Sequence, residues 1–242
     1  MSKIVFFHIP KTGGTSLHDF LTTQIDEELI CPDRLNTLKD HSLDYLNKFT
    51  YFSGHYDFDS IKRIPGDKKI FTFMRKPKDR IISLYYFWKS HKNEHIEKHN
   101  LGGPRIAKRL SFLDFLRYKN EGIPANIDNY IARVLSGSMY CGPNQEFLYS
   151  EEKVLEIAKK NVSEMFSVGF MDNYDKSYTE IVKKLGFNPP QEIPHSRKGD
   201  DHQDPNREKI TREPIDEEAL QELRKLTRLD DEIYKYCREL FL

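Results

Sequence analysis

The sequence predicts an α/β fold, with a doubly wound parallel sheet flanked by helices and a P-loop-like first crossover. Three short apolar runs rich in Val, Ile or Phe have the length of buried strands. Each run is followed by a loop and then by a stretch with helical spacing, an order that gives parallel strands joined by crossovers. Because 242 residues suit one sizeable domain and no linker or repeat interrupts them, we expect a single domain over residues 1–242.

The three strands are predicted at Ile4–His8, Lys69–Met74 and Phe166–Phe170. The helices that follow them are predicted at Thr15–Thr23, Lys78–Lys89 and Asn173–Leu185, the last ended by Gly186. Further helices with weaker signals are expected at Ser42–Phe49, Phe112–Tyr118, Ile127–Leu135 and Ser150–Asn161, and as a closing helix or helix pair at Glu217–Phe241. Residues 191–214 are polar and proline-containing and are predicted to form a loop.

The composition limits the possible partners and the compartment. Lys plus Arg and Asp plus Glu both number 38, so the chain lacks a net field for nucleic acid and any anion site must be a local cluster. No stretch approaches the roughly 18 to 20 apolar residues of a membrane span. The three cysteines, Cys31, Cys141 and Cys237, are far apart and odd in number, which argues against zinc and a disulfide framework. We therefore expect a cytoplasmic protein.

The stretch HIPKTGGTS, residues 8–16, follows the first predicted strand and has the residues of an anion-binding loop. Gly13 and Gly14 lack a Cβ and let the backbone approach a ligand, whereas Lys11 adds a positive charge. Thr15 and Ser16 place hydroxyl donors at the first helical turn. The spacing differs from the G-x-x-x-x-G-K-[ST] loop of nucleotide triphosphatases, and an ordinary strand-to-helix turn is the alternative.

A second candidate anchor is RKPKDRIISLYYFW, residues 75–88. Arg75 ends the second predicted strand, where ligands bind in open α/β sheets, and Ser83 lies about two helical turns further on. These two side chains could hold a second phosphate, with Arg75 bidentate. Alternatively, Arg75 and Arg80 pair with Asp79 or other carboxylates on a solvated face.

In this order, the two motifs resemble the 5′-phosphosulfate loop and the 3′-phosphate motif of the PAPS-dependent sulfotransferases, most closely the heparan sulfate 2-O-sulfotransferase type of the carbohydrate branch. PAPS is 3′-phosphoadenosine 5′-phosphosulfate, and the resemblance implies that it is the co-substrate. It implies that the 5′-phosphosulfate is bound by the loop residues Lys11, Thr12, Gly13, Gly14, Thr15 and Ser16. It likewise assigns Arg75 and Ser83 to the 3′-phosphate, and IPHSRKGDD, with Arg197 and Lys198, resembles a late basic loop over the nucleotide. For that last segment a solvated basic loop is an equal alternative.

The stretch SGHYDF, residues 53–58, contains the candidate general base, His55. A neutral imidazole is available at physiological pH. The 2-O-sulfotransferase type has a similar G-H-x-x-F stretch whose histidine is the base, which implies the same role for His55. A structural histidine is the alternative, and Asp57 and Asp59 are rival bases.

We therefore expect a sulfotransferase that moves the sulfuryl group to a hydroxyl of a carbohydrate or glycoconjugate, such as a glycolipid, with His55 and Lys11 as catalytic residues and no metal. A P-loop kinase using ATP and magnesium, and a non-catalytic module that binds PAP or a glycan, are the alternatives. His91, His95 and His99 recur at helical spacing, but we do not expect them to bind a metal. The polar stretch around them is expected to be a solvated insertion that could contact the acceptor.

Overall fold

A computed structural model of the protein describes residues 2–137, 146–194 and 204–242. Its sheet has four parallel strands in the order β2-β1-β3-β4. The strands are β1 (Lys3–Phe7), β2 (Tyr51–Gly54), β3 (Lys68–Met74) and β4 (Ser167–Phe170). The parallel sheet confirms the predicted fold class, and the three predicted strands correspond to β1, β3 and β4. Because all four strands are parallel, their carboxyl ends lie at one edge of the sheet.

Strand β2 was not predicted from the sequence. It contains only the residues YFSG, yet all four are buried and it pairs with β1 in register from Ile4–Tyr51 to Phe7–Gly54. This pairing makes β2 an outer strand of the sheet. His55 directly follows β2 and therefore lies at the same sheet edge as the anion loop after β1.

Helices surround the sheet, and their observed bounds are α1 Thr15–Thr22, α2 Leu43–Asn47, α3 Phe58–Lys62, α4 Pro77–Lys89, α5 Asn93–Lys98, α6 Gly102–Arg109, α7 Phe112–Arg117, α8 Ile123–Ile127, α9 Tyr130–Ser136, α10 Glu151–Ser163, α11 Tyr174–Leu185, α12 Glu217–Leu226 and α13 Arg228–Phe241. Short 3₁₀ turns cover Glu27–Leu29, Leu38–Asp40 and Met171–Asn173. Side-chain caps begin several of the helices; Ser150, for example, accepts a hydrogen bond from the Lys153 N–H at the start of α10.

The structure decides one open prediction about the helices and corrects another. The closing segment is a helix pair that divides at Thr227, one of the two predicted possibilities. The helix predicted at Ile127–Leu135 is instead the end of α8 and most of α9, because Asn129 between them has a left-handed backbone with φ of 47°. A left-handed residue cannot continue a right-handed helix, so the chain turns there.

The two faces of the sheet are covered by different hydrophobic clusters. Val5 and Phe7 of β1 pack in a cluster with residues of α3, α9, α10 and α13, whereas Phe6 packs on the other face with residues of α1 and α11. This alternation follows from the two-residue period of a strand. Two covered faces are the arrangement expected for a doubly wound sheet.

A third hydrophobic cluster joins α4 to α6, α7 and α12. Ile106 and Ala107 of α6 are fully buried in it, and a Cβ at Gly103 would lie 2.9 Å from the Trp88 ring. The prediction that the polar stretch around the three histidines, residues 90–110, is a solvated insertion is therefore wrong for α6, because the apolar face of α6 packs on α4. Among the described residues, no helix combines the length and the apolar character needed to cross a membrane.

Candidate functional site

The loop between β1 and α1 bends through two left-handed residues. Lys11 has a φ of 68° and Gly13 a φ of 80°, and a positive φ at a lysine is uncommon. Thr12 between them is buried, and its Oγ1 donates a hydrogen bond of 2.7 Å to the Ile9 carbonyl. Backbone N–H groups that converge in such turns form concave anion sites. The loop therefore has a turn of the kind found in anion sites, although its left-handed residues are Lys11 and Gly13 rather than the two glycines.

The two glycines of the loop are required for different reasons. Gly13 has the positive φ, and a Cβ there would lie 2.4 Å from the Met171 Sδ. Gly14 has an ordinary φ of −71°, but a Cβ would lie 2.4 Å from the Phe6 ring and 2.7 Å from the His8 ring. Gly13 thus permits the turn, and Gly14 permits the loop to pack directly on β1.

Helix α1 begins at the end of this loop, with Gly14 as its N-cap. Its first turn contains Thr15 and Ser16 and no acidic residue. The first N–H groups of a helix lack intrahelical partners, and the helix dipole adds partial positive charge. The end of the loop therefore offers backbone donors and partial positive charge to an anion, and the binding roles of Thr15 and Ser16 stay a prediction.

Arg75 follows the last residue of β3 and lies next to the anion loop. Its Nη1 donates a hydrogen bond of 3.3 Å to the Lys11 carbonyl. Burial lowers the pKa of Arg75, whereas nearby Asp79 raises it and nearby Arg212 lowers it further. Arg75 is half-buried and has Arg212 nearby, and such a pair of guanidinium groups is suited to bind an anion.

Helix α4 contains Ser83, the second residue assigned to the 3′-phosphate. Ser83 lies one turn after Asp79 and one turn before Phe87, so the three share a face. Asp79 interacts electrostatically with Arg75, and the Phe87 ring centroid is 3.8 Å from the Lys11 Nζ. Ser83 therefore lies on the helix face whose Asp79 and Phe87 interact with Arg75 and Lys11, and its contact with a phosphate stays a prediction. Arg80 lies on another face and is buried, with Nη2 donating to the Asn126 carbonyl at 2.7 Å, so its proposed pairing on a solvated face is wrong.

Phe87 was not identified in the sequence as a site residue. Its ring contacts Lys11 Nζ and also lies 4.0 Å from the guanidinium of Arg207. A cation on an aromatic face is stabilised by the ring's quadrupole. Phe87 thus positions two cations at the carboxyl edge of the sheet. Its position in the aromatic run of the second motif, one turn after Ser83, was the sequence signal for this contact.

His55 lies beside the first residue of the anion loop. Its Nδ1 is 2.7 Å from the His8 carbonyl, and the two imidazole centroids are 4.8 Å apart. Because a carbonyl only accepts hydrogen bonds, Nδ1 carries the proton and Nε2 of the neutral ring has the lone pair. Burial lowers the pKa of His55, the bond to His8 raises it and nearby Arg34 lowers it. The net lowering keeps the ring neutral at physiological pH, which a general base requires.

The rival carboxylates are in different surroundings. Asp57 is buried as the N-cap of α3 and accepts hydrogen bonds from the Ser60 N–H and from Asn36 Nδ2, both at 2.8 Å. Burial raises the pKa of Asp57, but the bonds from Asn36 and Ser60 lower it more. Asp59 is exposed and pairs with Lys62 at 3.0 Å. Asp57 is thus occupied by structural hydrogen bonds, which favours His55 as the base.

Arg197 and Lys198, the predicted basic residues of the late loop, lie outside the described residues. In the described part of the same region, Arg207 reaches Phe87 and Arg212 lies 5.3 Å from the Tyr86 ring. The Glu213 N–H donates to the Tyr86 hydroxyl at 3.1 Å and holds this segment on α4. The segment 204–213 therefore brings two arginines to α4 that sequence reasoning did not identify.

The three spaced histidines form a row next to this site. The centroids of His91 and His95 are 5.7 Å apart and those of His95 and His99 are 4.5 Å apart. Within residues 2–137, 146–194 and 204–242, no group of three or more His, Cys, Asp or Glu side chains has a geometry that could hold a metal ion.

Comparison with known proteins identifies the class to which this fold and site belong. The sequence matches the model of the sulfotransferase family over residues 1–237, so the chain belongs to that family. It is also 30% identical over 86 residues to a protein-tyrosine sulfotransferase of Arabidopsis thaliana. That match covers 35% of this chain and 17% of the length of the relative. The general resemblance stated from the two motifs is confirmed, whereas the heparan sulfate 2-O-sulfotransferase type stays a prediction.

Proposed function

We propose that this protein transfers the sulfuryl group of PAPS to a hydroxyl of a carbohydrate or glycoconjugate, in the cytoplasm. The observation that carries the proposal is the meeting of three groups at the carboxyl edge of the sheet. The anion loop follows β1, His55 follows β2 and Arg75 follows β3. His55 and Arg75 both bind backbone carbonyls of the loop, at His8 and Lys11.

The donor has two phosphate positions that match two cationic positions. The 5′-phosphosulfate would be bound by Lys11, by the turn at Thr12 and Gly13 and by the first N–H groups of α1. The 3′-phosphate would be bound by Arg75 and Ser83. Gly14 supports this fit, because the space that its Cβ would fill is occupied by Phe6 and His8. The loop is therefore packed on the sheet and preformed rather than assembled around the ligand.

The proposed reaction is an in-line transfer. The acceptor oxygen attacks the sulfur atom while Nε2 of His55 takes the hydroxyl proton, and the bond from sulfur to the 5′-phosphate oxygen breaks. The electron pair of that bond leaves with PAP, the 3′,5′-bisphosphate product. Lys11 stabilises the negative charge that develops on the departing phosphate. The mechanism uses no metal ion.

A tyrosyl hydroxyl is the second candidate acceptor. The partial match to the Arabidopsis protein-tyrosine sulfotransferase supports it, because it indicates a shared segment with a protein of that name. The kinase alternative has less support, since the loop lacks the Gly-Lys-Ser/Thr unit that organises ATP and magnesium. The non-catalytic alternative has less support because a neutral histidine with a defined tautomer adjoins the loop.

The proposal is tested by thermal unfolding with PAP, ADP, ATP and ATP plus magnesium in parallel. A ligand at about one hundred times its dissociation constant adds about 2.7 kcal/mol to the free energy of unfolding. In a domain of this size, that raises the melting temperature by roughly 5–10 °C. We expect this shift with PAP and a smaller one with ADP, which lacks the 3′-phosphate. A shift that requires ATP and magnesium would reject the proposal in favour of a kinase.

A further inference from the structure

A pocket next to the donor site is lined by basic and polar side chains. Its volume is about 350 Å³, within the size range of small-molecule sites. It lies between α5 and the segment 204–208, and its lining residues are Lys92, Glu94, His95, Lys98, His99, Pro205 and Asn206. All of these except Glu94 and Pro205 carry side-chain nitrogens. The pocket therefore offers several hydrogen-bond donors and little apolar surface.

The charges of the pocket favour an anionic ligand. Lys92 and Lys98 contribute two positive charges and Glu94 one negative charge. The neighbouring carboxylate, Glu97, points to Arg105 at 3.7 Å. Among the described residues, no carboxylate lies within ion-pair distance of Lys92 or Lys98. An anionic group would therefore meet a net positive site.

The pocket has fixed walls. The Lys92 N–H donates to the Asn206 carbonyl at 2.9 Å, and the Glu208 N–H donates to the Ser90 carbonyl at 2.8 Å. These backbone bonds join the start of α5 to the segment 204–208. The two sides of the pocket are thus held together before any ligand binds, which lowers the entropic cost of binding.

The pocket is also connected to the donor site. Arg207, the neighbour of Asn206, lies on the Phe87 ring, which also contacts Lys11 Nζ. From Phe87, a row of rings runs through His91 at 5.1 Å to His95 at 5.7 Å, and His95 lines the pocket. A ligand in the pocket therefore lies a short row of side chains from the lysine that would contact the transferred group. The pocket is therefore suited to bind a group of the acceptor other than the hydroxyl that reacts.

We propose that the pocket binds an anionic group of an acidic saccharide acceptor, so that the acceptor hydroxyl lies near His55. This inference rests on the sulfotransferase function proposed above and adds the class of acceptor to it. A saccharide fits better than an apolar peptide side chain because the lining has many donors and Pro205 is the one lining residue without a polar side-chain atom. The anionic group is a carboxylate or a sulfate ester, since both accept hydrogen bonds from ammonium and imidazole groups.

The test measures equilibrium binding of hexasaccharides to the protein saturated with PAP. The probes are a hyaluronan hexasaccharide with carboxylates alone, a heparin hexasaccharide with carboxylates and sulfates, and a neutral chitin hexasaccharide. We expect at least one acidic hexasaccharide to bind at least tenfold more tightly than the neutral one. Hyaluronan binding assigns the pocket to carboxylates, and binding of heparin alone assigns it to sulfate esters.

A double lysine variant tests whether the acidic hexasaccharide binds in this pocket. Lys92→Ala combined with Lys98→Ala removes both charges, and we expect about tenfold weaker binding of the acidic hexasaccharide with an unchanged affinity for PAP. Lys235→Ala on α13, which removes an exposed lysine from a helix that does not line the pocket, is the control and should change binding less than twofold. In turnover, the double variant should raise the KM for the acidic acceptor and leave kcat unchanged.

Equal binding of acidic and neutral hexasaccharides, or no loss in the double variant, would overturn the inference. Tighter binding of a hexaglutamate peptide than of any saccharide would assign the pocket to acidic peptides and would also overturn it. In each of these cases a PAP-dependent rise in melting temperature leaves the sulfotransferase proposal standing. Loss of that rise would instead point to failure of the proposed function itself.

Discussion

Replacement of His55 by asparagine separates catalysis from structure at the candidate base. The Asn side-chain nitrogen can take the position of Nδ1 and still donate to the His8 carbonyl, a bond of 2.7 Å in the native protein. The same change removes Nε2, the only ring nitrogen with a lone pair in this tautomer. The variant therefore lacks the proposed base but keeps the contact that holds residue 55 at the anion loop.

The expected loss is in the chemical step. A positioned general base contributes about 10²–10⁴-fold, or roughly 3–5 kcal/mol of activation free energy. Because the hydrogen bond to His8 is preserved, the free energy of unfolding should change by less than about 1 kcal/mol. The affinity for PAP should change less than twofold, since Lys11, Arg75 and α1 are untouched. His55→Asn should thus be inactive, folded and able to bind the donor product.

The assay compares kcat for transfer from PAPS, PAP binding and thermal unfolding in wild type and variant. Asp59→Asn is the matched control, because Asp59 is a rival base at the same sheet edge and is exposed. We expect kcat of the control to change less than twofold. Wild-type kcat should fall only when the pH drops well below 6.5, because burial lowers the pKa of His55, and the variant should lack this acid limb. A His55→Asn protein within tenfold of wild-type kcat, or an Asp59→Asn protein that is equally inactive, would refute the assignment.

Three further predictions concern donor recognition, loop packing and pH. Arg75→Lys should weaken PAP binding by about tenfold and ADP binding much less, because a lysine cannot bind a phosphate in a bidentate way; equal losses for both ligands would contradict the 3′-phosphate role. Gly14→Ala should lower the free energy of unfolding by about 1–3 kcal/mol in denaturant titrations, since its Cβ would lie 2.4 Å from Phe6, whereas Gly102→Ala, which meets open space, should not destabilise. Burial lowers the pKa of His18 from 6.5 to about 4, so the neutral ring contributes about 3 kcal/mol to the free energy of unfolding above pH 6.5, and this contribution is lost as the pH falls toward 4. His18→Gln should reduce this loss of stability in acid. An unchanged pH dependence of unfolding in the variant would show that other groups cause it.

Much of the fold was predictable because the apolar runs of β1, β3 and β4 are local signals. Strand β2 was not, because YFSG has neither a long apolar run nor a clear alternation. Its four residues are extended because they pair with β1 and are buried, which is a tertiary effect that overrides local preference. The motif SGHYDF identified His55 as a candidate base. Its location beside the anion loop could not be predicted, because it depends on the pairing of β2 with β1.

The site shows the same division between local and long-range information. Lys11 and Arg75 belong to contiguous motifs and could be identified from the sequence. Arg207 could not, because it contacts Phe87 only after the segment 204–208 has paired with residues 90–92. A basic residue in a polar loop has no sequence signal that distinguishes a ligand contact from a solvated side chain.

The backbone of the anion loop connects the two halves of the proposed chemistry. The carbonyl of His8 accepts from His55, the proposed base, and the carbonyl of Lys11 accepts from Arg75. One loop conformation therefore fixes the tautomer of the proposed base and the position of the arginine. The left-handed turn at Lys11 is uncommon for a lysine and carries a strain of about 1–3 kcal/mol. The Thr12 hydrogen bond to Ile9 and the close packing of Gly14 on Phe6 hold this turn in place. If the proposed function is correct, the loop therefore needs no rearrangement when the donor binds, which is a property of preorganised sites.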